Sequence, residues 1–280
     1  MKVFSVKELA SSYITDLKSK GLTVGLVPTM GALHKGHLSL INEAKKDNDV
    51  VVVSIFVNPT QFNNPADLEK YPRTLEEDLE KLKSVDCDIV FTPEASEMYD
   101  KDEVAEIFDF EGLDKEMEGK FRDNHFNGVG TIVKKLFNII TPNNAYFGEK
   151  DFQQLQIIKK LVSITKQPVN IIGCAIDREY DGLAGSSRNM RLTTKHRASA
   201  PFIYKTITKA KEMITSFSPV EIEKWVENEF KNQPNLELEY FTIADESNLK
   251  TVTVFDQNKN HRAFIAVFAG EIRLIDNIAL

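Results

Sequence analysis

The fold class is decided by residues 22–37, which read LTVGLVPTMGALHKGH. The first eight of these residues form a mostly apolar run that includes a late proline, a pattern typical of a buried strand. The glycines and histidines that follow predict a tight turn, and helical spacing begins at about Gly36. A strand, a turn and a helix in this order predict the start of an α/β fold.

The same alternation continues beyond this stretch. Residues 50–57, VVVVSIFV, are β-branched with almost no polar alternation, as in a central parallel strand covered on both faces. We predict further strands at 89–93 and 169–173, and helices at 5–20, 74–84, 131–140 and 152–164. These elements together predict an α/β fold with a Rossmann-like, doubly wound parallel sheet.

The pattern changes beyond residue 187. Two helices are predicted at 194–216 and 219–231, followed by antiparallel strands at 238–244, 264–269 and 272–275. A hairpin turn is predicted at Gly270-Glu271-Ile272. We therefore expect a smaller α+β domain at the C-terminal side, with a boundary near residue 180 that gives domains 1–180 and 181–280.

Charge and cysteine content exclude several classes of function. The formal charge of the 280-residue chain is −7, which argues against a general nucleic-acid binder. Neither a signal-peptide core nor a membrane-length apolar stretch is visible, so we expect a cytoplasmic protein without nucleic-acid or membrane partners. Cys87 and Cys174 lie in apolar, strand-like runs and are interpreted as buried hydrophobes. Because the net negative charge repels anions, phosphate binding would depend on local cations and backbone amides.

The turn His34-Lys35-Gly36-His37 is the main candidate for such phosphate binding. It lies at the carboxyl edge of the predicted sheet, where open α/β folds bind ligands, and it precedes the positive end of a helix. His34 and His37 are three residues apart, so both rings would project to one side and donate to phosphate oxygens. The alternatives are a His34 that only caps or packs, and a zinc site that lacks a third ligand of suitable spacing nearby.

Several blocks in this order resemble a known family. The turn is similar to the signature of the His-x-Gly-His nucleotidyltransferases, and within them the chain resembles the pantothenate synthetase family. The resemblance spans nearly the whole chain, and several blocks in order are far more specific than one. The matching blocks are VPTMGALH (27–34), FVNPTQF (56–62), YPRT (71–74), FGEKDF (147–152), SSRN (186–189) and RLIDN (273–277).

The resemblance implies an activity and an organisation. The implied enzyme is a ligase that condenses pantoate with β-alanine and cleaves ATP to AMP and pyrophosphate through a pantoyl adenylate. Domain 1–180 would bind nucleotide and pantoate, domain 181–280 would act as a lid, and the chain would form a homodimer. Magnesium is implied by the pyrophosphate leaving group. Its ligands are unassigned, because a charged helix face explains Glu77 and Asp78 as well as a metal site does.

The resemblance also implies the site residues. The catalytic set would be His37 as proton donor with His34, Lys150 and Arg188. Pantoate and β-alanine would contact Gln61, Gln154, Asn58 and Arg122. ATP would contact the catalytic set and a further group: Met30, Gly31, Ala32, Leu33, Lys35, Gly36, Gly148, Glu149, Asp151, Asp177, Gly185, Ser186 and Ser187.

The residue types suit these roles. Lys150 offers a point charge, Arg188 a planar guanidinium, and both belong to turns that could close a cationic ring around a triphosphate. Gln61 and Gln154 can donate and accept, as the hydroxyls and carboxylate of pantoate require. The alternatives are a solvated charged turn at 148–151, a Gln61 that satisfies loop backbone, and a Gln154 that faces solvent.

Two segments depart from the family pattern. Asp123, Asn124 and Asn127 stand where Pro, Gly and Arg are usual. The loop therefore lacks the rigid Pro-Gly pair and one cation, and a different local loop shape is expected. Gly185 replaces a larger apolar residue, which predicts a looser lid.

Two other functions remain open at this point. A nucleotidyltransferase would release a stable nucleotidylated product, and a non-catalytic ATP sensor would bind without turnover.

Overall fold

The structure, a computed structural model, describes residues 1–62, 68, 69 and 71–280. The chain divides into two compact units. The first unit comprises Met1–Glu149 and Gln153–Ala175, and the second comprises Lys150–Phe152 and Ile176–Leu280. The expected roles of domains 1–180 and 181–280 stay predictions.

A six-stranded sheet forms the centre of the first unit, with the spatial order β1-β4-β3-β2-β5-β6. Every neighbouring pair is parallel, which confirms the predicted α/β parallel-sheet fold. The strands are β1 (Lys2–Phe4), β2 (Val24–Thr29), β3 (Val50–Ile55), β4 (Ile89–Phe91), β5 (Asn144–Gly148) and β6 (Asn170–Cys174).

Helices separate these strands along the chain. The side chains of β3 are buried along its whole length, because neighbouring strands and packed helices cover it. Leu40, Ile41 and Ala44 form the buried face of α2 against this core. The helices described here are α1 (Lys7–Ser19), α2 (Lys35–Asp47), α3 (Leu75–Ser84), α4 (Ala95–Met98), α5 (His125–Ile140) and α6 (Phe152–Thr165).

The register of the sheet determines which loops share an edge. Thr29 pairs with Ile55, so the segments that follow β2 and β3 leave the sheet at the same level. Strand β5 lies on the other side of β2 and also runs parallel to it. The carboxyl ends of β2, β3 and β5 therefore face one edge of the sheet, the edge that binds ligands in open α/β folds.

The second unit contains a three-stranded antiparallel sheet with the order β7-β8-β9. Its core joins apolar residues of two helices, such as Ile203 and Ile222, to Ile265 of the central strand. The predicted hairpin is present: Ala269 pairs with Ile272, and Gly270 at φ 64° occupies the turn between them. The elements are α7 (Thr194–Ser199), α8 (Phe202–Met213), α9 (Pro219–Lys231), β7 (Glu237–Asp245), β8 (His261–Ala269) and β9 (Ile272–Ala279).

Three sequence predictions of secondary structure need correction. The helix predicted at 194–216 is two helices, because Pro201, which has no backbone N–H, stands between α7 and α8. Strands β1 and β5 were not predicted, since the KVF segment of β1 is mostly exposed and the NAYFG run of β5 has no β-branched residue. Helix α5 begins at His125 rather than near residue 131.

Candidate active site

The loop between β2 and α2 has a left-handed backbone at two consecutive residues. Gly31 has a φ of 81° and Ala32 a φ of 49°. Glycine adopts this conformation readily, whereas alanine pays about 1–2 kcal/mol for it because its Cβ crowds a carbonyl oxygen. A side chain elsewhere in the fold must therefore stabilise the backbone at Ala32.

Asp78 of helix α3 provides that stabilisation. Its side chain is fully buried. Oδ2 accepts a hydrogen bond from Ala32 N at 2.8 Å, and Oδ1 accepts one from Leu33 N at 2.7 Å. Lys81 Nζ lies 3.8 Å from Oδ1 and donates to Leu33 O at 2.9 Å. From sequence, Asp78 is a candidate magnesium ligand or part of a charged helix face, whereas the structure shows it as an anchor of the loop.

Helix α2 begins with a reciprocal cap formed by the two histidines. His34 is the N-cap residue, and its Nδ1 accepts from Gly36 N at 3.1 Å. His37 Nδ1 accepts from His34 N at 3.3 Å, so each ring uses the same nitrogen as an acceptor. In the neutral tautomer the proton therefore lies on Nε2, which makes Nε2 a donor.

The two imidazole rings also lie close together. Their centroids are 4.1 Å apart and their planes differ by 37°. Both side chains are half-buried, and Lys35 between them is exposed. His34 does cap the helix, as one alternative had it, but the arrangement also places two ring donors beside the helix N-terminus.

A second polar cluster follows β3 and is organised by Asn58, which is only 1% exposed. Asn58 Oδ1 accepts from Tyr99 Oη at 2.7 Å and from Thr60 Oγ1 at 3.1 Å. Its Nδ2 donates to Gln61 Oε1 at 3.2 Å and to Gly128 O at 3.1 Å. Burial raises the pKa of Tyr99, which keeps its hydroxyl protonated as a donor.

Gln61 joins this cluster to the β2 loop. Its Nε2 lies 2.9 Å from Met30 Sδ, and its backbone oxygen is 2.9 Å from His125 Nδ1. The residues expected to contact ATP and pantoate, Met30 and Gln61, are therefore in direct contact. Helix α5 approaches this point closely, since a Cβ on Gly128 would lie 2.4 Å from Thr60 O. Only glycine fits there without displacing backbone.

The altered loop before α5 keeps a left-handed residue where the family pattern has glycine. Asn124 has φ 58° and ψ 0°, a conformation that asparagine tolerates better than most residues. Asn127 accepts from Phe108 N through Oδ1 at 3.0 Å and so serves the backbone of another segment. Arg122 and Gln154 are half-buried. Their expected contacts with pantoate or β-alanine stay predictions.

In the second unit, one pocket brings several predicted residues together. Lys150, Ser186 and Arg188 line it, together with Asn189 and Asp276. Lys150 has a side chain 18% exposed, with its Nζ 3.8 Å from Asp151 Oδ2, and Arg188 is exposed. Two of the predicted cations therefore share a pocket with a predicted hydroxyl donor.

The segment that leads to this pocket is held by backbone and side-chain bonds. Gly185 N donates to Asp177 O at 2.8 Å, and a Cβ at position 185 would lie 3.0 Å from that oxygen. Arg178 forms a bidentate pair with Asp276, at 2.7 and 2.9 Å. Ser186 Oγ accepts from Arg188 N at 3.2 Å and caps the turn that contains Ser187. Gly185 thus allows a close backbone approach rather than a left-handed turn.

The cysteines, the metal-ligating side chains and the helix lengths of the described residues give three further observations. Burial raises the pKa of both Cys87 and Cys174 to about 11, so neither is a thiolate at neutral pH. No three His, Cys, Asp or Glu side chains among the described residues are grouped as a metal site requires. None of the helices in that part of the chain is both long and apolar enough to cross a membrane.

Comparison with known proteins identifies the family. The family model for pantoate-beta-alanine ligase matches residues 2–279. A pantothenate synthetase of Christiangramia forsetii is 56% identical over 281 residues, covering 100% of this chain and 99% of the relative. The crystal structure of the pantothenate synthetase of Thermus thermophilus superposes with a TM-score of 0.89 at 35% identity, covering 99% of both chains.

A further solved structure carries ligands. It is the pantoate-beta-alanine ligase of Francisella tularensis complexed with beta-gamma ATP and beta-alanine. It is 38% identical to this chain, has a TM-score of 0.81, and the match covers 100% of this chain and 97% of that one. Together with the full-length family match, this likeness shows that the chain belongs to the pantoate-β-alanine ligase family and is an enzyme of that family.

Proposed function

We propose that the enzyme condenses pantoate with β-alanine at the expense of ATP, through a pantoyl adenylate. A carboxylate oxygen of pantoate attacks the α-phosphorus of ATP, and pyrophosphate leaves. The amine of β-alanine then attacks the acyl carbon, and AMP leaves with an oxygen that came from pantoate. Family membership supports the overall reaction, and the Francisella tularensis relative with beta-gamma ATP and beta-alanine supports the choice of co-substrate.

The observation that carries the proposal is the pair of histidines at the start of α2. Both Nδ1 atoms accept hydrogen bonds from backbone N–H groups, so both Nε2 atoms are donors beside the positive end of the helix. Negative charge grows on phosphate oxygens in the first step, and preorganised donors stabilise such charge. His37 is proposed as the proton donor and His34 as its partner, and each such donor lowers the activation barrier by roughly 2.7–4 kcal/mol.

The remaining contacts to ATP are assigned to the β2 loop and to the residues around Lys150. The amides of the 30–37 loop and its Lys35 are proposed to face the nucleotide. Lys150 and Arg188 supply charge to the triphosphate, and the hydroxyls of Ser186 and Ser187 add donors. Gly148, Glu149, Asp151, Asp177 and Gly185 complete the proposed nucleotide contacts.

Pantoate is proposed to bind beside Gln61 and Gln154, with Arg122 as a further contact. Asn58 is fully engaged with protein groups, and it donates to Gln61 Oε1. Its proposed part is therefore to hold the amide of Gln61 in one orientation. An amide held in this way can donate to the carboxylate or accept from a hydroxyl.

Magnesium, the homodimer and the cytoplasmic location are part of the same proposal. Magnesium is proposed to arrive with the triphosphate, since Mg²⁺ keeps several waters and needs few protein ligands when phosphates bind it. The chain is proposed to act as a homodimer in the cytoplasm, and its C-terminal domain to close over ATP as a lid.

The test is an omission assay with the purified enzyme. ATP, magnesium, pantoate and β-alanine are supplied, each is left out in turn, and AMP, pyrophosphate and pantothenate are followed. We expect stoichiometric products only in the complete mixture, and turnover lowered about 10²–10³-fold in His37→Gln. His196→Gln, on α7, is the matched control and should keep full turnover. Release of ADP, or a stable nucleotidylated pantoate that β-alanine does not consume, would refute the proposal.

A further inference from the structure

The last strand of the chain contacts the turn that carries Lys150 through one buried side chain, Asn277. The Nδ2 of Asn277 donates to the backbone oxygen of Lys150 at 2.9 Å. Asn277 is 2% exposed, so water competes little for this bond. The run RLIDN, in which Asn277 is the last residue, matches the family pattern but was given no role by the sequence.

Arg262 determines the orientation of the Asn277 amide. Its Nη1 donates to Asn277 Oδ1 at 2.6 Å. A guanidinium has only donors, so the end of the amide that faces it must be the oxygen. Nδ2 is thereby directed toward Lys150. Arg262 is itself held in place, because its Nε donates to Glu246 Oε1 at 2.7 Å.

The same arginine holds the residue two positions after Lys150. The guanidinium carbon of Arg262 lies 3.9 Å from the ring centroid of Phe152, the first residue of α6. Phe152 also packs against Phe264 of β8, with ring centroids 5.9 Å apart. The main chain around Lys150 is therefore fixed at its carbonyl by Asn277 and just beyond it by a stacked ring.

We propose that Asn277, oriented by Arg262, is a positioning residue that sets the place of Lys150 for phosphate binding. The inference rests on the proposed role of Lys150 in the function above. A side chain can deliver its ammonium to a phosphate oxygen only if its backbone has a defined position. A displacement of about 1 Å at such a contact can cost on the order of 100-fold in rate.

The substitution Asn277→Asp removes this contact but also adds a negative charge beside Asp276, so Asn277→Ala, which removes the donor without adding charge, is tested with it and should raise the KM for ATP in the same direction. Aspartate has the same shape and keeps an acceptor for Arg262, but it replaces the donor to Lys150 O with an oxygen, so two oxygens oppose each other. We expect the KM for ATP to rise about tenfold and the KM for pantoate to stay unchanged, with a melting temperature near the wild-type value because Arg262 gains a charged partner. Asn228→Asp is the matched control: its Oδ1 accepts from Lys231 Nζ at 3.0 Å on an exposed face, and it should change none of these values.

A double-mutant cycle with Lys150→Ala separates the possible results. If Asn277 acts through Lys150, Asn277→Asp raises the KM for ATP in the wild type and adds nothing in Lys150→Ala. A wild-type KM in Asn277→Asp, or an equal effect in both backgrounds, overturns the positioning role while leaving Lys150 in the proposed function. A Lys150→Ala enzyme with unchanged ATP kinetics overturns both. Should Asn277→Asp fold poorly, Arg262→Lys, which keeps the charge but loses the planar fork, should raise the KM for ATP in the same direction.

Discussion

Replacing Asp78 with asparagine tests whether its carboxylate stabilises the loop between β2 and α2 that carries His34. The change preserves the shape of the side chain, but it removes the negative charge and one of the two acceptor oxygens. Those oxygens accept from Ala32 N at 2.8 Å and Leu33 N at 2.7 Å. An amide in their place must turn an N–H toward one of these backbone donors, so one buried N–H loses its partner.

The magnitude follows from the two bonds. A hydrogen bond to a buried charged group contributes about 1.5–3 kcal/mol, and the remaining bond weakens by roughly half when the charge is lost. The substitution also removes the desolvation penalty of a buried carboxylate, which offsets part of this cost. We therefore expect Asp78→Asn to lower the free energy of unfolding by about 2–4 kcal/mol. Because His34 follows Leu33 directly, turnover should also fall, by about 10- to 100-fold.

Chemical denaturation and steady-state turnover provide the assay. Glu77→Gln is the matched control, since Glu77 is the exposed neighbour on the same helix and its loss should change stability by less than about 0.5 kcal/mol. Denaturation is measured with EDTA, so that a role of Asp78 in loop anchoring is separated from one in magnesium binding. Adding Ala32→Gly to Asp78→Asn should restore about 1 kcal/mol, because glycine removes the strain of the positive φ.

An Asp78→Asn enzyme with wild-type stability and turnover would contradict this reasoning. So would a loss of stability that appears only when magnesium is present.

Three further predictions concern other parts of the fold. Gly128→Ala should lower stability by about 1–3 kcal/mol and raise the KM for pantoate, because the new Cβ would meet Thr60 O at 2.4 Å; wild-type values in unfolding and kinetic assays would refute this. Asn124→Gly should be nearly neutral in denaturant unfolding and Asn124→Ala should cost about 1 kcal/mol, since φ is 58° there; equal stabilities would refute the strain argument. Burial acts to raise the pKa of Asp245, but hydrogen bonds from Lys259 and Ser247 outweigh it and hold the pKa at about 2, below the ordinary 3.8. The stability from this group should be present above about pH 4 and lost as the pH falls toward 2, and Asp245→Asn should remove that part of the acid dependence in unfolding measured against pH.

Strands β2 and β3 of the central sheet were readable from sequence because each is a six-residue, mostly apolar run. Residues 24–29 and 50–55 are almost entirely buried, so hydrophobicity alone marked them. β1 escaped prediction because its KVF segment is charged at one end and mostly exposed, and β5 because its NAYFG run has no β-branched residue. Pro201 was a visible helix breaker whose consequence for 194–216 the periodicity obscured.

Candidate site residues could be proposed from sequence where their chemistry depends on residue type, and not where it depends on tertiary contacts. His34 and His37 were identified from their spacing beside a strand, and their caps are local. The loop contacts of Asp78 and the proposed role of Asn277 depend on partners 45 and 127 positions away along the chain, which periodicity does not reveal. Asp78 did leave one signal, an acidic residue on the buried face of an otherwise charged helix.

Isotope transfer tests the central claim most directly. Pantoate labelled with ¹⁸O in its carboxylate is converted in the complete reaction, and the AMP is analysed by mass spectrometry. If pantoate attacks the α-phosphorus, each AMP should carry one ¹⁸O atom and pyrophosphate should carry none. Unlabelled AMP, or label in pyrophosphate or inorganic phosphate, would contradict the adenylate mechanism.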